Sequence, residues 1–166
     1  MRKIKFLINL KKIGKLRLIE PSKELTESYL HKSDSHLDSA KILLNSNKLE
    51  ESVSMSYYGM YHSLLALLFK FGIKSENHGA SILLLKELFN ENKLAEAISY
   101  GKKERIDKQY YLDFNITKSD CQDMVKISEE FIINIKNIIN HFTDEDIRKI
   151  RQDLNNLLRN YDLVDM

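Results

Sequence analysis

The sequence predicts an all-α protein, an antiparallel bundle of four or five helices with a basic N-terminal segment and an additional C-terminal helix. The 166 residues include only five Gly and one Pro, too few for the many turns of an all-β fold. Hydrophobic residues make up 43% of the chain and charged residues 30%, a balance typical of a globular protein with one core. Apolar residues also recur at steps of three and four along most of the chain, as in amphipathic helices.

The N-terminal segment is distinguished by its charge. Residues 1–19 contain seven Lys and Arg residues and no acid, whereas the other 147 residues carry 19 basic and 24 acidic side chains. Such a segment is suited to contact nucleic acid or an acidic partner, although an ordinary solvated helix has the same pattern. Apolar residues follow helical spacing at Ile4, Leu7, Leu10 and Ile13, before a possible stop at Gly14. Alternation at Ile4, Phe6, Ile8 and Leu10 leaves a strand as the second interpretation.

The next two helices are predicted from their termini and apolar faces. Ser22 is suited to cap a helix that Asn45-Ser46-Asn47 would end. A third helix, about 48–71, ends at Gly72. One of its apolar stripes contains Leu49, Val53, Ser56, Met60, Leu64, Leu67 and Phe71, and the other contains Tyr58, His62, Leu65 and Phe69. Because it is apolar on most sides, this helix is predicted to be central.

The C-terminal half predicts four further helices. A short helix carries Ile82, Leu85, Leu88 and Phe89, and another spans about 93–109. Thr117 and Asp120 resemble a capping box, and Thr143 is suited to cap the last helix. The two apolar stripes are Cys121, Val125, Ser128, Ile132, Ile135, Ile139 and Phe142, then Ile147, Ile150, Leu154, Leu157 and Tyr161. We expect an N-terminal extension over 1–20, a bundle over 21–142 and a C-terminal helix over 143–166.

Several chemistries are excluded by the residues present. One cysteine, Cys121, rules out a disulfide framework, fits a reducing cytoplasm and is predicted to be an inert buried thiol. The longest apolar run has six residues, far fewer than the ~18 of a membrane span. No Gly-rich phosphate loop or metalloprotease motif occurs. Glu27, His31, Asp34 and Asp38 share a helix face that we interpret as solvated rather than metal-binding. We expect no metal, cofactor or membrane contact.

A cluster of tyrosine and histidine lies on the third helix. Tyr57, Tyr58 and His62 fall within about one turn, and Tyr58 and His62 share a face. Polar rings on an apolar helix need hydrogen-bond partners inside the protein. The cluster is therefore either a functional site or a satisfied structural network.

A basic cluster follows Gly101. It contains Lys102, Lys103, Arg105, Asp107, Lys108, Tyr110 and Tyr111. Guanidinium groups bind phosphate and aromatic rings stack on bases, so the pattern is typical of a nucleotide site. A solvated helix end with inward tyrosines is the structural alternative.

The segment from Ser56 to Leu68, SYYGMYHSLLALL, closely resembles the signature helix of HEPN-domain proteins (higher eukaryote and prokaryote nucleotide-binding). The resemblance continues through Gly72 and His78 to the segment 105–110, which is similar to the family form R-x-[D/E]-x-x-Y. Residues 19–25 resemble the N-terminal boundary of the small stand-alone prokaryotic branch. The resemblance covers about residues 16–140.

This resemblance implies a helical bundle that usually forms a homodimer. It also implies a minimal nucleotidyltransferase as partner, the two acting as toxin and antitoxin. Many members are metal-independent ribonucleases with Arg-x4–6-His motifs facing each other across the dimer cleft. There the arginine stabilises phosphate charge and the histidine relays protons to and from the ribose hydroxyl.

The sequence departs from the nuclease pattern, because Tyr110 stands where histidine is expected after Arg105. An ordinary phenol ionises near pH ~10 and is a poor general base at neutrality. We therefore expect Arg105 to bind nucleotide or RNA phosphate, with weak or absent cleavage by Arg105 and Tyr110. The other binding residues implied are Tyr58, His62, His78, Asp107 and Tyr111. The alternatives are a ribonuclease toxin with a non-standard base and a structural interaction module.

Overall fold

The fold is described by a computed structural model that covers residues 2–110 and 115–159, without the side chains of Arg2 and residues 107–110. Within these ranges the chain forms seven α-helices and one two-stranded ribbon, which confirms the all-α prediction. In order these are α1 (Arg2–Lys12), β1 (Leu16–Leu18), α2 (Lys23–Asn45), α3 (Leu49–Lys70), β2 (Ile73–Ser75), α4 (His78–Phe89), α5 (Asn92–Tyr110), α6 (Lys118–His141) and α7 (Asp144–Arg159). No helix in the described ranges is long and apolar enough to cross a membrane.

The N-terminal segment forms helix α1, and the strand interpretation of residues 4–13 is wrong. Leu7, Ile8 and Leu10 are buried against the rest of the protein. Ile13 was predicted on the apolar face, but it follows the end of α1 and is 64% exposed. Gly14 then adopts a positive φ of 75°, which turns the chain away from the helix axis.

The short ribbon was not predicted from the sequence. β1 and β2 are antiparallel, with Leu16 opposite Ser75 and Leu18 opposite Ile73. Each strand has three residues, too few for alternation to show in the sequence. The ribbon joins the chain just before α2 to the chain just after α3.

Helix α3 is central, as predicted, and α2 and α6 pack closely against it. Ser33 on α2 donates a hydrogen bond to the carbonyl of Gly59 at 2.7 Å, and Ser128 on α6 donates to the carbonyl of Ser56 at 2.7 Å. A Cβ at Gly59 would lie 3.4 Å from the Ser33 carbonyl oxygen and 3.3 Å from Ile132. Small residues therefore let the three helices approach one another closely.

The predicted helix caps are present. Ser22 accepts a hydrogen bond from the backbone N–H of Leu25, and Thr117 forms a capping box with Asp120. Thr143 bonds to Asp146 at the start of α7. Cys121 is fully buried, and burial raises the pKa of its thiol, as expected of an inert cysteine.

Helix α7 buries one face against the bundle. Its buried apolar residues are Ile147, Ile150, Leu154 and Leu158. The predicted Leu157 is partly buried and packs against the core, and Leu158, which was not predicted, is buried because it follows Leu154 by four residues. The predicted last member of the stripe, Tyr161, lies outside the described residues.

Arg151 of α7 caps the C-terminal end of α3. Its Nη1 donates to the carbonyl oxygens of Ile19, Phe71 and Gly72 at 2.7, 2.9 and 3.1 Å. The carbonyls of the last helical turn have no partner within the helix, and a cation is favourable there. Gly72 has a φ of 65°, and a side chain at this position would collide with the Arg151 guanidinium.

Candidate functional site

The candidate site lies where α5 crosses the middle of α3. Gly101 is the point of close approach, because a Cβ there would lie 2.7 Å from Met124 Cε and 3.2 Å from Met60 Sδ. Arg105 follows one helical turn later on α5. The lack of a side chain at Gly101 therefore brings Arg105 close to the tyrosines of α3.

Arg105 contacts two adjacent tyrosines. Its Nη1 donates to the Tyr58 hydroxyl at 2.5 Å, and its Cζ lies 5.2 Å from the Tyr58 ring centroid and 5.4 Å from that of Tyr57. These are cation–π distances. Arg105 Nε is buried and has no hydrogen-bond partner among the described residues. The guanidinium is thus positioned by aromatic rings and retains donor capacity.

His78, at the first position of α4, joins the cluster from a third helix. The Tyr57 hydroxyl and His78 Nδ1 are hydrogen-bonded at 2.6 Å, in a direction that depends on the imidazole tautomer. The ring of His78 also stacks on Tyr61 with centroids 3.7 Å apart. Burial, then the charges of Lys102 and Arg105, lower the pKa of His78, so its uncharged form is favoured.

His62 forms the other side of the cluster. Its ring stacks on His36 of α2, with centroids 4.8 Å apart and planes inclined by 14°. Burial, assisted by the charges of His36 and Lys32, lowers the pKa of His62 to about 4. Its Nδ1 is buried without a hydrogen-bond partner among the described residues. At neutral pH the imidazole is therefore uncharged and retains unused hydrogen-bonding capacity.

The two tyrosines nearest His78 are held in their protonated form. Burial is the largest cause that raises the pKa of Tyr57, and the nearby Arg105 charge opposes it only in part. Burial likewise raises the pKa of Tyr61. Both phenols therefore act as hydrogen-bonding groups rather than anions at neutral pH.

The structure brings together four of the predicted binding residues, Tyr58, His62, His78 and Arg105. The side chains of Asp107 and Tyr110, as well as Tyr111, lie outside the described residues, so their predicted roles stay predictions. Tyr57 and Lys102 were named in the two sequence clusters but not among the expected binding residues, and the rings of Tyr61 and His36 were not predicted to take part. His36 and His62 are 26 positions apart, and only tertiary packing reveals their stacking.

The acidic face of α2 makes ordinary surface contacts. Asp34 pairs with Lys136 of α6 at 2.6 Å, and Lys41 pairs with Glu129 at 2.6 Å in the same interface. Within the described residues no group of three or more His, Cys, Asp and Glu side chains is placed to hold a metal ion.

The arrangement is chemically suited to an anion. It combines a fixed guanidinium, the nearby Lys102 ammonium and uncharged imidazoles, with half-buried aromatic surface at Tyr58. Guanidinium groups bind phosphate oxygens in pairs, and aromatic faces accept stacked bases.

Comparison with known proteins relates the chain to a domain family and to a curated protein. A family model described as the HEPN domain matches residues 26–138. The UPF0332 protein PH1297 of Pyrococcus horikoshii is 37% identical over 59 residues, which are 36% of this chain and 42% of that protein. The chain thus matches less than half the length of this relative. Because the family model spans well over half of the 166 residues and includes the α3–α5 crossing, the chain belongs to the HEPN domain family.

Proposed function

We propose that this HEPN protein binds the phosphate of a nucleotide or RNA through Arg105. It would act as the cytoplasmic component of a toxin–antitoxin or defence module with a minimal nucleotidyltransferase. The observation that carries the proposal is the state of the guanidinium. It is held by Tyr58 and two aromatic faces, yet its buried Nε has no partner among the described residues. Arg105 as a whole is only partly buried, so its guanidinium is accessible to an anion, and guanidinium groups bind phosphate oxygens in pairs.

The charge around Arg105 supports an anionic ligand. Among the described side chains, Arg105 forms no ion pair with a carboxylate. The Lys102 charge lies near enough to lower the pKa of His78 together with Arg105. The positive charge is therefore not neutralised by these groups. A half-buried Tyr58 ring beside it provides a surface on which a base can stack.

Binding measurements on matched arginine variants test this proposal. Calorimetric titration with ATP and with a short single-stranded RNA compares wild type, Arg105→Ala, Arg105→Lys and the control Arg148→Ala. Arg148 is exposed on α7, and its substitution by alanine removes the same charge as Arg105→Ala. We expect Arg105→Ala to weaken binding about 10- to 100-fold, because a hydrogen bond to a charged group is worth ~1.5–3 kcal/mol. Arg105→Lys should recover only part of the loss.

The proposal fails if wild-type protein binds neither ATP nor RNA, or if Arg105→Ala and Arg148→Ala bind equally well. A circular dichroism melt of each variant checks that the loss of binding is not a loss of fold.

A second function is favoured by the position of His78. Its low pKa leaves an uncharged imidazole near Arg105, where it is suited to replace the missing histidine as general base. If Nδ1–H donates to Tyr57, Nε2 retains the lone pair that a base needs. A metal-independent ribonuclease would then cleave RNA in the presence of EDTA. Cleavage should be lost in Arg105→Ala and His78→Gln and retained in the exposed control His31→Gln.

The homodimer and the nucleotidyltransferase partner are further parts of the proposal. They follow from family membership. Light scattering at micromolar concentration should give twice the 19.5 kDa chain mass. Affinity purification from the native host, followed by mass spectrometry, should recover a nucleotidyltransferase. A monomer would contradict the first expectation, and the absence of that enzyme would contradict the second.

A further inference from the structure

A groove lies beside the candidate site, between α1, α4 and α5. Its volume is about 520 Å³, within the range of small-molecule binding sites. The floor is mostly apolar and includes Ile82 and Leu83 of α4. The groove belongs to none of the contacts that hold Arg105, and the proposed function does not use it.

The rim of this groove combines cations with an exposed aromatic ring. Lys3 of α1 and Lys86 of α4 are exposed on it, and Phe6 of α1 lies between the basic residues of that helix with 39% of its surface exposed. Glu96 is the only acidic group among the described residues that line the groove. Basic side chains interleaved with an exposed ring are the usual features of a single-stranded nucleic acid site.

The groove lies near the Arg105 site along two elements. Gly79 lines the groove, and its neighbour His78 lies in the candidate site. Lys102 Nζ lies 3.9 Å from the position that a Cβ of Gly79 would occupy. On α5, Ser99 lines the groove, and Lys102 and Arg105 follow at intervals of three residues, about 9 Å along the axis in all.

We propose that the groove binds the continuation of a single-stranded RNA whose phosphate is held at Arg105. This deepens the proposed function, on which it rests, and names the ligand as RNA of several nucleotides rather than a mononucleotide. Lys102 bridges the two regions, Lys3 and Lys86 contact phosphates, and Phe6 stacks on a base. The basic N-terminal helix thereby acquires a role in binding, because it forms one wall of the groove.

Binding as a function of RNA length tests this inference. Fluorescence anisotropy measures the affinity for labelled oligouridines of four and twelve nucleotides, in wild type and in the double variant Lys3→Gln/Lys86→Gln (the groove variant). The control Lys48→Gln/Lys126→Gln removes two exposed lysines that do not line the groove. We expect the twelve-nucleotide RNA to bind wild type about tenfold more tightly, and the groove variant to lose this gain while the control keeps it. The slope of log K against log salt for the longer RNA should fall by about 1.4 in the groove variant, because a single strand releases ~0.7 ion per phosphate contact.

A second variant, Phe6→Ala, separates stacking from charge. It should weaken the longer RNA about 5- to 10-fold while leaving the salt slope unchanged, which corresponds to the lower end of the ~1–3 kcal/mol that base stacking on a ring contributes. The inference is overturned if wild type binds both RNAs equally well. The proposed function still stands in that case if Arg105→Ala weakens the binding of both RNAs. It is also overturned if the groove variant and the control variant bind the longer RNA with the same affinity. If the groove variant changes the oligomeric state and not the affinity, the inference is overturned as well, and the groove is assigned to a second copy of the chain.

Discussion

Two arginines contact α3, and they differ in what their guanidinium groups bind. Arg151 lies at the C-terminal end of the helix and donates to three backbone carbonyls. Arg105 lies against the middle of the helix, donates to one tyrosine hydroxyl and leaves a buried Nε without a partner among the described residues. The first arginine is bound to the backbone of the fold through Nη1, whereas the second has a single hydrogen-bond partner among the described residues. The comparison shows that the hydrogen-bond partners of a buried cation, rather than its burial, indicate its role.

The same contrast holds for the two faces of α3. The α2 and α6 side is closed largely by serine hydroxyls on backbone carbonyls, and its buried groups without a partner among the described residues, the Ser56 hydroxyl and the His62 imidazole that stacks on His36, are uncharged. The α4 and α5 side carries the stacked rings of Tyr61 and His78, and there the group without a partner is the charged guanidinium of Arg105. In a purely structural network, buried polar atoms have hydrogen-bond partners, and above all the charged ones. The α4 and α5 side of α3 therefore fits a binding site better than the α2 and α6 side.

The largest expected effect separates the two arginines by stability. Arg151→Met keeps the aliphatic stem but removes three hydrogen bonds, and we expect a loss of about 2–3 kcal/mol in the free energy of unfolding. Arg105→Met should change it by less than ~1 kcal/mol, because one partner is lost and one buried donor without a partner is removed. Urea denaturation of both variants measures the difference. Equal losses would remove the distinction between a structural and a binding arginine.

The next effect is a pH dependence located at His62. The pKa of His62 is about 4 in the folded protein and 6.5 unperturbed, so below pH 6.5 the unfolded chain binds the proton first. Stability is therefore fully present above pH 6.5 and is lost as the pH falls towards 4. Between pH 7.5 and 5.0 we expect His62 to contribute a loss of about 1–2 kcal/mol.

In His62→Gln, the urea concentration at the midpoint of unfolding should fall less steeply between pH 7.5 and 5.0 than in wild type. His31→Gln, an exposed histidine on α2, is the matched control and should keep the wild-type slope. The lowered pKa values of His36 and His78 act in the same direction, so the variant should still show some loss at acid pH. An unchanged slope in His62→Gln would contradict the assigned state of this imidazole.

The smallest expected effect refines the role of Tyr58. Tyr58→Phe keeps the ring beside the guanidinium and removes only the hydroxyl that accepts from Arg105. We expect a 3- to 10-fold loss of affinity for ATP or RNA, about 1 kcal/mol, with little change in stability. Titration calorimetry with a thermal melt gives both quantities. A large loss of stability without a loss of affinity would assign this tyrosine to the structural network.

Local signals in the sequence predicted most of the helices. Caps at Ser22, Thr117 and Thr143 act within three residues, and the apolar stripes of α3 and α6 repeat along one element. These features are therefore visible without tertiary information. The burial of residues at the ends of elements was predicted less well. Ile13 is exposed because it follows the end of α1, and Leu158 is buried because neighbouring elements decide how deeply each of the adjacent Leu157 and Leu158 is covered.

The site was predicted in part, for a physical reason. The Tyr58 and Arg105 motifs lie on single helices and were recognised by residue type and spacing. The stacking of His36 on His62 and the bond between Tyr57 and His78 join residues 26 and 21 positions apart, and no local pattern encodes them. The cap that Arg151 places on α3 joins residues about 80 positions apart and was not predicted for the same reason.

The missing side chain at Gly101 has a consequence for how such a site can change. Each atom it would meet first belongs to a methionine, Met124 or Met60, and methionines adapt readily to new neighbours. We expect an alanine at this position to be tolerated, with the methionines taking up part of the contact and the following turn of α5 moving slightly outward. The distance between the Arg105 guanidinium and the tyrosines of α3 can therefore change through Gly101, a residue that contributes no side chain to the site. The size of ligand that fits changes with that distance.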